Sequence, residues 1–249
     1  MFTEVFRKNL RDVLVERAVA DERLVGVALT GSAALGQEDP WSDIDIAVGV
    51  DARWKPGDVL HDWTVYMYGT LEVVDHVDVI SRSTIYRVFL LANTLQVDIA
   101  FAPHHEFGAV APTFQLVSGT ATEQTQTPLP DVDKLIGMAW LYALHARSSL
   151  ARGRVWQAEF MISSIRNHVI SLACIRHDLP PSQGRGVDRL PLDLQESLIR
   201  ALPQGLSDAA LASVFSNAAD LLLSEIGWFD PDRARRLAPV LDELVRPSQ

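Results

Sequence analysis

The sequence predicts an α+β protein: a mixed sheet with helices in the N-terminal half, followed by a C-terminal helical bundle. Three observations carry this. Residues 25–101 hold short β-branched runs with period-2 patterning, broken by turn residues. Residues 121–130 are Thr, Gln and Pro without periodicity and read as a linker. Beyond it, long segments of helical periodicity are bracketed by cap and stop residues. The expected domains are therefore 1–125 and 131–249.

Taken in order, Phe2, Val5, Phe6, Leu10, Val13, Leu14 and Ala18 recur at helical spacing and predict an amphipathic helix over 3–20. Residues 25–30, Val-Gly-Val-Ala-Leu-Thr, predict a buried strand. Gly31 then permits a tight turn, and Ser32 opens a helix through Ala33, Ala34 and Leu35. A second strand is expected over 43–50, after a loop from Gln37 to Ser42 that includes Pro40 and Trp41. Pro56 and Gly57 mark a connection, and Val59, Leu60, Trp63 and Met67 suggest a short helix. Strands follow over 71–80, interrupted by Asp75, His76 and Asp78, and over 84–91. Asn93 turns the chain into a strand through Asp98, after which the motif content falls away. In the second half, Asp131 or Asp133 caps a helix stopped by Gly153, and another covers 154–178 before Pro180-Pro181. Pro191, Ser207 and Asp230-Pro231 open three more.

The chemistry concentrates in the first half. Asp43, Asp45, Ala47 and Gly49 alternate with Ile44, Ile46, Val48 and Val50, the pattern of a strand with one buried face. Asp43 and Asp45 then share the other face, about 7 Å apart along the strand. Such a pair keeps its charge best with a cation between its members, and oxygen ligands with room left for phosphate describe a magnesium site. In Leu95-Gln96-Val97-Asp98-Ile99-Ala100-Phe101, Asp98 projects opposite the apolar face. Pairing of the two strands would gather three carboxylates. The strand, Gly-Ser turn and helix start before them point backbone N–H groups at one spot, which suits a phosphate.

Gly31-Ser32, the spacer, Ser42-Asp43-Ile44-Asp45 and the later Asp98 strand resemble the DNA polymerase β-type nucleotidyltransferase superfamily. The antibiotic nucleotidyltransferases acting on lincosamides and aminoglycosides are its nearest branch in motif. The resemblance covers residues 25–102 in motif and the remainder in layout alone. It implies transfer of a nucleoside monophosphate, AMP from ATP above all, onto a hydroxyl of a small molecule, with Mg²⁺ as cofactor. Asp43, Asp45 and Asp98 would be metal ligands, and Gly31 and Ser32 would hold the triphosphate. Asp98, Glu159 or both would take the proton, since related enzymes use a glutamate on the helical domain as base. Glu159, Ser163 and Arg166 do follow at spacings of four and three on one helix face, although such a stripe often faces water. Arg87 and, in the Gly184-Arg185-Gly186 loop, Arg185 are further phosphate partners or plain surface cations. The resemblance also implies a homodimer, and antibiotic resistance as the role. An alternative is a regulatory protein of antitoxin type that binds or modifies a partner protein.

Composition narrows these classes. A formal net charge of −10 opposes general RNA or DNA binding, and with it RNA tailing, while suiting a cationic acceptor. One cysteine, Cys174 in an apolar setting, excludes an internal disulfide and fits a reducing cytosol and a packing role. The first twenty residues carry charges throughout, unlike a signal peptide, and no continuous run of 18 apolar residues predicts a membrane span. A cytoplasmic protein is expected. His104-His105-Glu106 lacks further ligands at zinc spacing and reads as a solvated loop; His168 and His177 read as core or helix-end partners.

Overall fold

The computed structural model describes residues 1–125 and 128–246. The chain divides into two compact units, Met1–Thr127 and Pro128–Gln249. Residues 126 and 127 of the expected linker lie outside the described residues.

In the first unit, helix α1 (Glu4–Val19) is capped by Thr3, whose hydroxyl accepts from the Phe6 amide at 3.1 Å. Leu10, Leu14 and Ala18 pack it on the sheet. Its buried stripe is rotated from the expected one: Arg7 is buried, whereas Val5, Phe6 and Val13 are exposed. Strand β1 (Leu24–Thr30) runs into a single helical turn, α2 (Gly31–Ala34). Strand β2 (Ile44–Val50), helix α3 (Pro56–Thr70) and strands β3 (Val73–Ser81), β4 (Thr84–Leu91), β5 (Gln96–Pro103) and β6 (Phe114–Gly119) complete the unit.

Among the described residues the strands form one sheet in the order β3-β4-β5-β2-β1-β6. All neighbours are antiparallel except β2 and β5, which run parallel. One face is the main core. Ile44, Ile46, Val48, Val97, Ile99, Phe101 and Phe89 meet Trp63 and Met67 of α3 there, with Trp63 edge-on to Phe101. The polar interruptions of β3 are answered locally. His76 accepts or shares a hydrogen bond with the Tyr68 hydroxyl at 2.9 Å, and Asp78 takes a two-pronged contact from Arg87.

The opposite face is built from small residues. Ala28, Ala47, Ala100 and Ala102 lie under the ring of Phe107, with Tyr86 and Phe114 beside it. Gly49 makes room for that ring, since a Cβ there would stand 2.6 Å from Phe107 Cγ and 2.9 Å from its Cβ. Strand β6 was not expected: Phe-Gln-Leu-Val-Ser-Gly is short, lies on the sheet edge and mostly exposes its side chains, so no apolar period announces it.

The second unit is helical: α4 (Val132–Leu150), α5 (Val155–Arg176), α6 (Leu192–Arg200), α7 (Asp208–Phe229) and α8 (Pro231–Val245). The expected caps are in place. Asp131 accepts from the Asp133 and Lys134 amides, Ser207 from Ala210 and Asp230 from Arg233. Cys174 is fully buried in this core, and burial pushes its thiol up. Helix α7 is long and apolar enough to cross a membrane by length and composition. Leu211, Val214, Phe215, Ala218, Leu222 and Ile226 are nevertheless buried in the helical core. Its buried Glu225 is held by Arg176 through two hydrogen bonds of 2.8 and 2.9 Å.

Gly49→Ala should therefore lower stability by about 1–3 kcal/mol through overpacking against Phe107, measured by urea unfolding. An unchanged midpoint would contradict the packing described.

Candidate active site

The parallel pairing of β2 and β5 sets the site. In its register Asp45 lies beside Asp98 and Ala47 beside Ala100, so both carboxylates leave the same face of the sheet, opposite the apolar core. Asp43 immediately precedes β2, and its Oδ2 accepts from the Gln96 amide nitrogen at 3.3 Å. All three aspartates thus stand at the N-terminal ends of two adjacent strands. Strand β1 runs the other way and delivers its C-terminal turn to the same end.

That turn is tailored to Asp45. Gly31 has φ +61°, and a Cβ there would sit 2.1 Å from Asp45 Oδ2. Any side chain at 31 would meet both the left-handed backbone and the carboxylate. The first turn of α2 has no side-chain cap, since Thr30 makes no capping bond. Ser32 is part of this turn.

The electrostatics follow from the crowding. Burial, and then the charge of Asp43, pushes the Asp98 carboxyl up from 3.8 to about 6. Asp98 Oδ1 is buried with no hydrogen-bond partner. Tyr86, which pairs with Ala100 on the same face, has its phenol raised by burial, then by Asp98 and Glu106. The donor set fits a hard divalent cation: carboxylate oxygens alone, one of them buried and unpartnered. Among the described residues, however, no three His, Cys, Asp or Glu side chains stand as a closed metal cage. The strands gather the three carboxylates, while the side chains, alike in charge, do not converge.

Other expected residues are placed elsewhere. Arg87 alternates with Tyr86 and Val88 and so faces the opposite side of the sheet; its register partner is Ile99, a core residue. Its guanidinium is committed to Asp78 at 2.7 Å and to the Thr64 hydroxyl of α3 at 2.5 Å. The structure does not bring it to the carboxylates. In the second unit, Glu159 accepts from the Ser163 hydroxyl, which in turn accepts from Arg166 at 3.2 Å. The polar stripe on α5 is thus one connected chain, and Arg166 also donates to the Ala201 carbonyl at 3.1 Å. Arg185 is exposed in the turn before a 3-10 segment, Val187–Arg189. Glu106 of the His-His-Glu run accepts from the Ser83 amide and Thr84 hydroxyl, and serves the loop. Tyr86 and Arg7 were not singled out by the sequence; period-2 alternation along β4 does place Tyr86 on the face of Asp98.

Residues 8–99, from within α1 to within β5, match the family model for the nucleotidyltransferase domain. Over that segment the chain is similar to a nucleotidyltransferase domain. No curated protein matches the sequence. Among solved structures the chain is similar to an aminoglycoside 6-adenyltransferase from Bacillus subtilis. The two are 11% identical with a TM-score of 0.38, over 97% of this chain and 99% of that one. The matched segment includes Gly31, Ser32, Asp43, Asp45 and Asp98.

A carboxyl raised in the fold binds its proton more tightly than in the unfolded chain. Stability is therefore gained below the unfolded value and lost as pH rises from about 4 through 6. With a chelator present, Asp98→Asn should raise the melting temperature at pH 7–8 and leave it unchanged near pH 3.5. Equal effects at both pH values would contradict the crowded carboxylate.

Proposed function

We propose that this chain transfers a nucleoside monophosphate, AMP from ATP, to a hydroxyl of a small cationic acceptor, with Mg²⁺ as cofactor. The observation that carries this reading is the set of Asp43, Asp45 and Asp98 at one end of β2 and β5, beside the Gly31 turn.

Asp43, Asp45 and Asp98 would hold the divalent cations. The parallel register of β2 and β5 brings Asp45 and Asp98 to neighbouring positions for that role. When bound, the metal supplies charge neutralisation at the transferring phosphoryl group and lowers the pKa of the acceptor hydroxyl. Ser32 and the uncapped amides of the α2 turn would donate to the β- and γ-phosphates. Gly31 keeps this turn against Asp45, which brings phosphate donors and metal ligands into one place.

The acceptor oxygen forms a bond to the α-phosphorus, the bond from that phosphorus to the bridging oxygen breaks, and pyrophosphate leaves with the electron pair. The acceptor proton goes to a carboxylate. Asp98, with one carboxylate oxygen buried and without a hydrogen-bond partner, is the candidate within the first unit.

The acceptor class rests on charge and motif. A chain of net charge −10 attracts polycations and repels nucleic acid, which suits an aminosugar and makes an aminoglycoside or lincosamide antibiotic the substrate to test first. Its place of work would be the cytoplasm, where ATP and reduced thiols such as that of Cys174 are found.

Incubation with Mg-ATP and a panel of aminoglycosides and lincosamides should give a product heavier by one AMP, with pyrophosphate released in equal amount. Asp45→Asn should lower the rate by roughly a hundredfold or more. Full activity in that variant, or release of inorganic phosphate in place of pyrophosphate, would overturn the proposal.

A further inference from the structure

The segment between the Gly31 turn and Asp43 is not anchored by the sheet, yet it must deliver Asp43 to a defined position. Its anchor comes from α1. Arg7 is 4% exposed, an unusual burial for an arginine, and its Nε makes no hydrogen bond. Its Nη1 donates to the backbone carbonyls of Asp39 and, at 3.3 Å, of Ser42, the residue before Asp43. Its Nε lies 3.5 Å from Glu38 Oε1, and Arg11, one turn further along α1, holds Glu38 Oε2 at 2.5 Å.

The segment has its own internal frame. The Ser42 amide donates to the Asp39 carbonyl at 3.2 Å, and the Asp39 carboxylate accepts from the Trp41 amide and the Ser42 hydroxyl. Arg7 therefore grips the two carbonyls that begin and end one closed turn. The turn is tied internally, and Asp43 follows it directly. On the far side, Leu10, Leu14 and Ala18 fix α1 to the sheet.

We infer that Arg7 is a positioning residue for Asp43: its buried guanidinium, seated on the rigid α1, locks the Glu38–Ser42 turn and so fixes the first carboxylate of the site. The inference rests on the nucleotidyl-transfer reading for its kinetic consequence, but its structural content does not. The guanidinium meets both carbonyls through Nη1 while its Nε faces the Glu38 carboxylate; an ammonium has one nitrogen and cannot stand in both places. Misplacement of a ligand on the scale of an ångström lowers the rate of the chemical step more than it lowers affinity for the bulk of the substrate.

Arg7→Lys is the test, because it keeps the charge and removes the fork. Amide hydrogen exchange should speed up by about tenfold or more over residues 37–43 and stay unchanged in β2 and β5. The kcat for transfer should fall about tenfold while KM for Mg-ATP stays within about threefold. Glu38→Gln, which retains both carbonyl contacts, should loosen the same segment less and reduce kcat less; it keeps the test decisive if Arg7→Lys unfolds. Exchange that is unchanged in the turn, or raised evenly across the first unit, would overturn the inference. So would a loosened turn with wild-type kcat. A wild-type chain without transfer activity would sink the proposed function instead, and the exchange pattern would still decide whether Arg7 holds the turn.

Discussion

Repulsion among like charges is the constraint around which the first unit is arranged. Parallel register of β2 and β5 forces Asp45 and Asp98 side by side, and Asp43 adds its field from the adjoining residue. Aspartate is a poor strand residue, and like charges directly across a pair of strands destabilise it. The rest of the unit supplies the compensation. The core face is closely filled by Trp63, Phe89, Phe101 and the branched aliphatics, with all of these rings fully buried. A strained arrangement at one strand end persists when its surroundings are overdetermined in this way.

Small residues surround that strand end. Alanine at 47 and 100 and glycine at 49 leave the face beyond the carboxylates low, and Phe107 covers its far part. Gly31 lets the α2 turn approach Asp45 to a distance no other residue would allow. Arg7 and Arg11 secure the segment that leads to Asp43 from beneath, without themselves bringing positive charge among the acidic side chains.

Much of this could be read in the chain before folding. The strands of the site and all five long helices of the second unit announced themselves through period and caps, because Asp131, Ser207 and Asp230 act over three or four residues. The carboxylates were legible for the same reason: side-chain alternation in a strand is a local rule. What escaped was decided by tertiary partners. The buried stripe of α1 turned away from Val5, Phe6 and Val13 because Arg7 had two carbonyls 32 and 35 residues away to satisfy. Arg87 was drawn to the core side by Asp78 and Thr64, and strand β6 exists through pairing with β1 rather than through its own pattern.

On the proposed function, Asp43, Asp45 and Asp98 close around divalent cations beside the Gly31-Ser32 turn. Anomalous diffraction from crystals grown with Mn²⁺ and a non-hydrolysable ATP analogue tests it most directly. The account predicts metal density within coordination distance of all three carboxylates, with the triphosphate against the α2 turn. Metal bound elsewhere, or Asp98 left outside its coordination shell with nucleotide in place, would contradict it.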